Sequence, residues 1–194
     1  EGTGGIEKDT DGDDRLFGGA GDDVIFGGAG DDFIDGGEGR DTIFGGAGND
    51  IIVYDSNDYL VSGGSGIDFM VSNDSALTLD TLLSGGKNGN EGPIVDSIEV
   101  LITGTDALSL TSLEQMAEKY GITINGSSLE LKNDLWTVDG DGYRFTGGLD
   151  SDGTPDDLFL QVNSKTDAHV SVELVSSDDI AEAMQRAEIE HSNG

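Results

Sequence analysis

GGAGDDVIF (18–26), GGAGDDFID (27–35), GGEGRDTIF (36–44) and GGAGNDIIV (45–53) are four consecutive nine-residue units in register, with no insertions. Every unit has glycine at positions one, two and four, aspartate at six and isoleucine at eight. The glycines are Gly18, Gly19 and Gly21; Gly27, Gly28 and Gly30; Gly36, Gly37 and Gly39; Gly45, Gly46 and Gly48. A fixed short period marks a repeat architecture and is settled before any local structure is read. The register also extends outward. Residues 9–17 keep it in degraded form, with Gly12, Asp14 and Leu16 at positions four, six and eight. Residues 54–62 (YDSNDYLVS) lose the glycines but keep Val61 at eight, and residues 63–71 restore Gly63, Gly64, Gly66, Asp68 and Met70. The array therefore covers residues 9–71. A glycine-rich flexible linker has no reason to hold an aliphatic side chain at one phase.

The unit fits G-G-x-G-x-D-x-U-x and in this it resembles the calcium-binding nonapeptide repeats of RTX proteins. One unit reads as a six-residue turn followed by a three-residue strand, with glycine letting the backbone curl so that carbonyls point inward. Two units make one coil of a right-handed parallel β-roll, and units two apart stack. The fold expected is mainly β: an RTX solenoid of this kind, capped by a β-rich segment with one or two short helices. Calcium takes six to eight oxygen ligands, which a carboxylate from each of two stacked turns plus their carbonyls can supply. On one side Asp14, Asp32, Asp50 and Asp68 stack; on the other Asp23 and Asp41 do, and Tyr59 interrupts the row. About four calcium ions are expected, held by these aspartates and by the repeat glycines from Gly18 to Gly66. Asp58, one residue before Tyr59, is expected to substitute poorly.

Position eight faces the interior: Leu16, Ile25, Ile34, Ile43, Ile52, Val61 and Met70. Positions seven and nine face outward. On one face they are Arg15/Phe17, Phe33/Asp35, Ile51/Val53 and Phe69/Val71, increasingly apolar toward the C-terminal end. On the other they are Val24/Phe26, Thr42/Phe44 and Leu60/Ser62. A solenoid needs a cap, so residues after 71 are expected to fold back onto the roll.

The whole chain of 194 residues has 40 Asp plus Glu against 9 Lys plus Arg, a formal charge of −31. Such charge opposes a compact state unless something neutralises it, and cations held by the repeat aspartates would do so. Nucleic acid is excluded as a partner, since phosphates need Lys and Arg. There is no cysteine, hence no disulfide or thiolate site. No apolar run approaches the ~20 residues of a membrane span, so membrane insertion is not expected. No signal peptide is recognisable. Glu1 begins mid-pattern, as in a piece of a longer chain.

Five segments are expected: a lead-in at 1–8, the roll at 9–80, a loop at 81–95, a β-rich capping segment at 96–176 and a C-terminal helix or tail at 177–194. Residues 72–83 read as an irregular half-turn with Leu77 and Leu79 inward, and 84–93 as loop. Residues 97–103 read as a strand. TSLEQMAEKYG (111–121) reads as a helix with a Thr111–Glu114 capping box, an apolar stripe at Leu113, Met116, Ala117 and Tyr120, and Gly121 at its end. Residues 122–131 form a hairpin turning at Asn125-Gly126. Residues 135–138, 143–146, 158–162 and 169–175 are further strands, and 177–191 an amphipathic helix.

Little else in the chain carries chemistry. Asp139–Gly142 and Asp150–Asp157 are acidic turns resembling the opening of an EF-hand loop, without its Glu at position twelve or its helices. A further calcium near Asp150–Asp157 and a plain hairpin turn both stay open there. His169 and His191 lack an H-E-x-x-H pairing, and no G-x-S-x-G elbow supplies a nucleophile. Trp136, Tyr143 and Phe145 read either as core or as a carbohydrate-binding hairpin.

The resemblance implies a non-catalytic module, secreted to the bacterial cell surface, that type I secretion machinery exports unfolded and that folds outside on meeting calcium. A monomeric module is expected. It looks like the C-terminal region of a large RTX adhesin. The alternative is the C-terminal module of a secreted RTX protease, lipase or epimerase whose catalytic domain lies elsewhere.

Overall fold

The computed structural model of the chain describes residues 6–8, 11–83, 94–147, 157–163 and 170–176. The readings made for 1–5, the 84–93 loop, residues 150–156, His169, His191 and the 177–191 helix lie outside the described residues.

The repeats lay down β1 (Ile6–Lys8), β2 (Arg15–Ala20), β3 (Val24–Ala29), β4 (Phe33–Glu38), β5 (Thr42–Ala47), β6 (Ile51–Val53), β7 (Leu60–Ser65) and β8 (Phe69–Ser72). Successive strands alternate between two sheets. β1, β3, β5 and β7 pair in one and β2, β4, β6 and β8 in the other, all parallel. The register is two units: Val24 lies opposite Thr42 and Phe33 opposite Ile51. This is a parallel β-roll. Its strands run longer than three residues because the extended backbone continues through the next unit's first glycines, as in the Gly19–Gly37 pairing. β6 stops at three, where Tyr54 and Asp55 replace the glycine pair. Ile6–Lys8, read as lead-in, already pairs with Val24–Phe26 as a half-coil.

Between the sheets Ile25, Ile34, Ile43, Ile52, Val61 and Met70 are fully buried. Each contributes about 1.5–3 kcal/mol of burial. Leu77, Leu79 and Leu82 close the C-terminal end of this core. Residues 79–83 do so as a helix, α1 (Leu79–Leu83), rather than as a half-turn. The stacking then resumes at the end of the stretch read as loop, where β9 (Ile94–Asp96) pairs with β7, and continues in the strand expected over 97–103, where β10 (Val100–Thr103) pairs with β8.

The cap grows from that last coil. Its strands are β11 (Ile122–Asn125), β12 (Ser128–Lys132), β13 (Trp136–Asp139), β14 (Gly142–Phe145), β15 (Phe159–Val162) and β16 (Ser171–Val175). β15 pairs antiparallel with β10, and β14 and β13 follow, so one roll sheet becomes an eight-stranded sheet. Pairing β10 removes an exposed edge that would invite aggregation. β11, β12 and β16 form a separate sheet. Phe33, Ile51, Phe69, Val71 and Val100 on the outward roll face are buried against Met116, Tyr120, Leu129, Trp136 and Leu160. The expected fold-back therefore occurs, and it covers the C-terminal part of this face, leaving Phe17 57% exposed at the N-terminal end. The other outward face keeps Phe26 38% exposed, stacked on Phe44 at 5.0 Å.

Local signals in the cap shift by a residue. The helix starts at α2 (Leu113–Gln115) and widens to a π-helical turn over Met116–Tyr120. Its cap is Ser112, whose Oγ accepts the Gln115 N–H at 3.1 Å, and not Thr111. The Gln115 side chain takes the Thr111 amide instead. Gly121 ends the helix in the left-handed region as expected. The hairpin turns at Gly126-Ser127, with Asn125 still paired to Ser128. Trp136 is core: its Nε1 donates to the Tyr120 carbonyl at 2.7 Å, and its ring meets Phe145 edge-on. With Phe145 also buried, the carbohydrate-binding reading of this hairpin falls away.

Candidate metal centre

Most turns of the roll pair two consecutive polar residues, at positions five and six, that are used in opposite directions. At position six the carboxylate reaches back. The amides of Asp14, Asp32 and Asp50 donate to Oδ1 of Asp32, Asp50 and Asp68, each at 2.9 Å, and that of Asp23 to Asp41 at 2.8 Å. At position five the side chain reaches forward. Asp13, Asp22, Asp31 and Asn49 accept the amides of Asp31, Arg40, Asn49 and Ile67 on the next coil. The sequence reading left position five open, although its short acceptors at one phase were the signal.

With Oδ1 engaged, Oδ2 of Asp32, Asp41, Asp50 and Asp68 is buried without a hydrogen-bond partner. Burying a carboxylate oxygen so is costly unless a cation or proton meets it. Each of these oxygens lies against the first glycine of its own unit. A Cβ on Gly27 would strike Asp32 Oδ2 and the Gly45 carbonyl; one on Gly45 would strike Asp50 Oδ2 and the Gly63 carbonyl; one on Gly36 would strike Asp41 Oδ2. Position one is thus glycine to leave room beside the carboxylate. Positions two and four have a different reason. Gly46 and Gly48 have φ of +124° and +135°, and a Cβ there would also strike the carbonyls of Gly28 and Gly30 on the preceding coil.

Burial is also the main cause of the acids' shifted titration. It pushes Asp50 up to about 7 and Asp68 up to about 8, against the pull of the hydrogen bonds from the Asp32 and Asp50 amides. Asp32 adds repulsion at Asp50, and Asp50 and Glu99 add it at Asp68. Asp32 and Asp41 are raised for the same first reason. A fixed divalent cation would reverse that local logic. Among the described residues no three acidic or histidine side chains converge on one point. The oxygens open to a cation are instead carboxylates from stacked turns and nearby backbone carbonyls, all hard donors of the kind calcium takes.

The interrupted side is less broken than its sequence suggests. Asp58 is buried, its Oδ2 accepts the Asp55 amide at 3.1 Å, and its Oδ1 has no partner. Burial pushes Asp58 up to about 7, and Asp41 is the first of its repelling neighbours. Tyr59, at the aspartate position, turns outward beneath the Arg40 guanidinium at 5.0 Å. The shift arises because the 55–58 turn closes on itself one residue early.

Asp157 of the acidic 150–157 stretch is engaged locally: its amide donates to Asp106 and its carboxylate lies 3.5 Å from Arg144. No helix among the described residues is long and apolar enough to cross a membrane.

Fold and site together define a parallel β-roll whose stacked turns enclose buried carboxylate oxygens among glycine carbonyls. The family model of the RTX calcium-binding nonapeptide repeat, in four copies, matches residues 9–43 and 29–61. Residues 9–61 carry RTX calcium-binding repeats. No curated protein and no solved structure matches the chain.

Proposed function

We propose that this chain is the calcium-dependent folding and secretion module at the C-terminal end of a large secreted RTX adhesin, exported by type I secretion machinery to the bacterial surface and acting as a monomer without catalysis. The observation that supports it is the row of buried, unpartnered Oδ2 atoms between the coils. Calcium, when bound, supplies positive charge between stacked turns. The chain's own residues do the rest. Asp14, Asp32, Asp50 and Asp68 present carboxylates on one side and Asp23 and Asp41 on the other. Position-one glycines leave the room, and the isoleucine column fixes the spacing. Four gaps follow, between Asp14 and Asp32, Asp32 and Asp50, Asp50 and Asp68, and Asp23 and Asp41. Asp58 beside Asp41 frames a fifth.

Without the cation the same carboxylates oppose the fold, since metal-binding free energy here is folding free energy. A low-calcium cytosol then leaves the chain open for export, and calcium outside closes the roll. The test is export of a passenger fused ahead of this chain in cells carrying a type I transporter. The passenger should reach the medium and the roll should resist protease there only with calcium. A passenger retained in the cells contradicts the secretion role.

A further inference from the structure

We infer that Asp68, Glu99 and the Ser97 carbonyl form a further divalent-cation site at the junction of roll and cap, built from a segment that carries no repeat. The inference rests on the reading that the roll binds calcium. The backbone shows how the site arises. Along this side the position-seven amide of each coil donates to the position-six carbonyl of the coil before: Phe33 to Asp14 at 2.8 Å, Ile51 to Asp32 and Phe69 to Asp50 at 2.7 Å. Val100 donates to Asp68 at 3.0 Å in the same way. Glu99 therefore occupies position six of the next coil, although 31 residues separate it from Asp68. Its Oε2 accepts the Asp68 amide at 3.0 Å, the bond that Asp32, Asp50 and Asp68 each make to the coil before.

The second observation is Asp68 itself. It is fully buried, and its Oδ2 has no hydrogen-bond partner. A Cβ on Gly63 would strike that oxygen and the Ser97 carbonyl together. Gly45 faces Asp50 Oδ2 and the Gly63 carbonyl in the same arrangement. Ser97 thus supplies the carbonyl that a repeat glycine supplies elsewhere. It does so at φ +51°, the only positive φ on a non-glycine residue among those described. Such backbone strain persists where surroundings over-determine it, commonly at functional sites.

The cap grips this turn directly. The Asn163 amide donates to the Glu99 carbonyl at 2.7 Å and its Nδ2 to the Ile98 carbonyl at 2.9 Å. Asn163 directly follows β15, whose pairing with β10 joins cap to roll. A cation between Asp68 and Glu99 therefore ties the cap to the loaded roll, so that calcium in the last gap and closure of the cap are one event.

Glu99→Gln tests this on the full chain with calcium as the probe. Glutamine keeps an acceptor for the Asp68 amide and removes the charge. Calcium counted by native mass spectrometry should fall by one ion from the wild-type number. An unchanged count overturns the site, whereas a wild type that takes no calcium at all overturns the roll reading instead. Wild-type crystals grown with a lanthanide in place of calcium give a second readout free of any folding defect in the variant. An anomalous peak between Asp68 and Glu99 is expected. Peaks in the repeat gaps with none there overturn the proposal.

Discussion

Asp50→Asn should have opposite effects with and without calcium. Asp50 Oδ1 accepts the Asp32 amide, while Oδ2 is buried, unpartnered and close to the Gly63 carbonyl. Asparagine preserves the accepting oxygen and can turn an N–H toward that carbonyl. Burial raises Asp50 from 3.8 to about 7. The folded state thus binds a proton more tightly than the unfolded one. That stabilisation is fully present below pH ~4 and is lost as pH rises through about 7. Each tenfold step in proton affinity is about 1.4 kcal/mol, so the ceiling at pH 8 is about 4 kcal/mol. Local relaxation and water penetration around the charged form reduce this to on the order of 2 kcal/mol. In chelator at pH 8, Asp50→Asn should exceed wild type in stability by that amount, and at pH 4 the two should coincide. In saturating calcium the order reverses, because both gaps flanking Asp50 lose a carboxylate. The assay is circular dichroism, with urea unfolding at pH 4 and in calcium, and with folding driven by an excluded osmolyte such as trimethylamine N-oxide in chelator at pH 8, where wild type is largely unfolded. Equal stability in chelator at pH 8, or a variant weaker in every condition, refutes the reasoning.

Other variants separate the parts. Gly27→Ala should lose bound calcium, since its Cβ fills the space beside Asp32 Oδ2; Gly19→Ala, at φ +99° with nothing within 4 Å, should keep the ion count and cost about 1–3 kcal/mol of backbone strain. On the interrupted side, titration calorimetry should show Asp58→Asn losing one calcium ion and Asp41→Asn two. In the cap, Trp136→Phe removes the donor to the buried Tyr120 carbonyl and should cost about 1–3 kcal/mol in urea unfolding with calcium present.

The roll was legible because its determinants are periodic. Over residues 18–53 isoleucine at position eight and glycine at one, two and four recur without interruption, and the structure uses each for a separate purpose. The rows of Asp14, Asp32, Asp50 and Asp68, and of Asp23 and Asp41, follow from the same period. What falls off the period was underrated, as with Asp58, or missed, as with Glu99. Asp58 arrives one residue early because its turn closes on Asp55. Glu99 reaches position six only after the chain detours through α1, and nothing around it spells a repeat. The helix start was ambiguous for a plainer reason: Thr111 and Ser112 stand side by side, as do Glu114 and Gln115, and packing chose the second pair. Strand length was underread since glycine signals a turn, yet here the paired backbone runs on through Gly36 and Gly37.

The central claim is that cations complete this fold. Titrating calcium into the chain in chelator at pH 8, watched by far-ultraviolet circular dichroism, tests it most directly. The account predicts little β-signal at the start and a cooperative gain as calcium nears the millimolar range expected outside cells. A chain already fully folded in chelator at that pH, with no change on adding calcium, would contradict it.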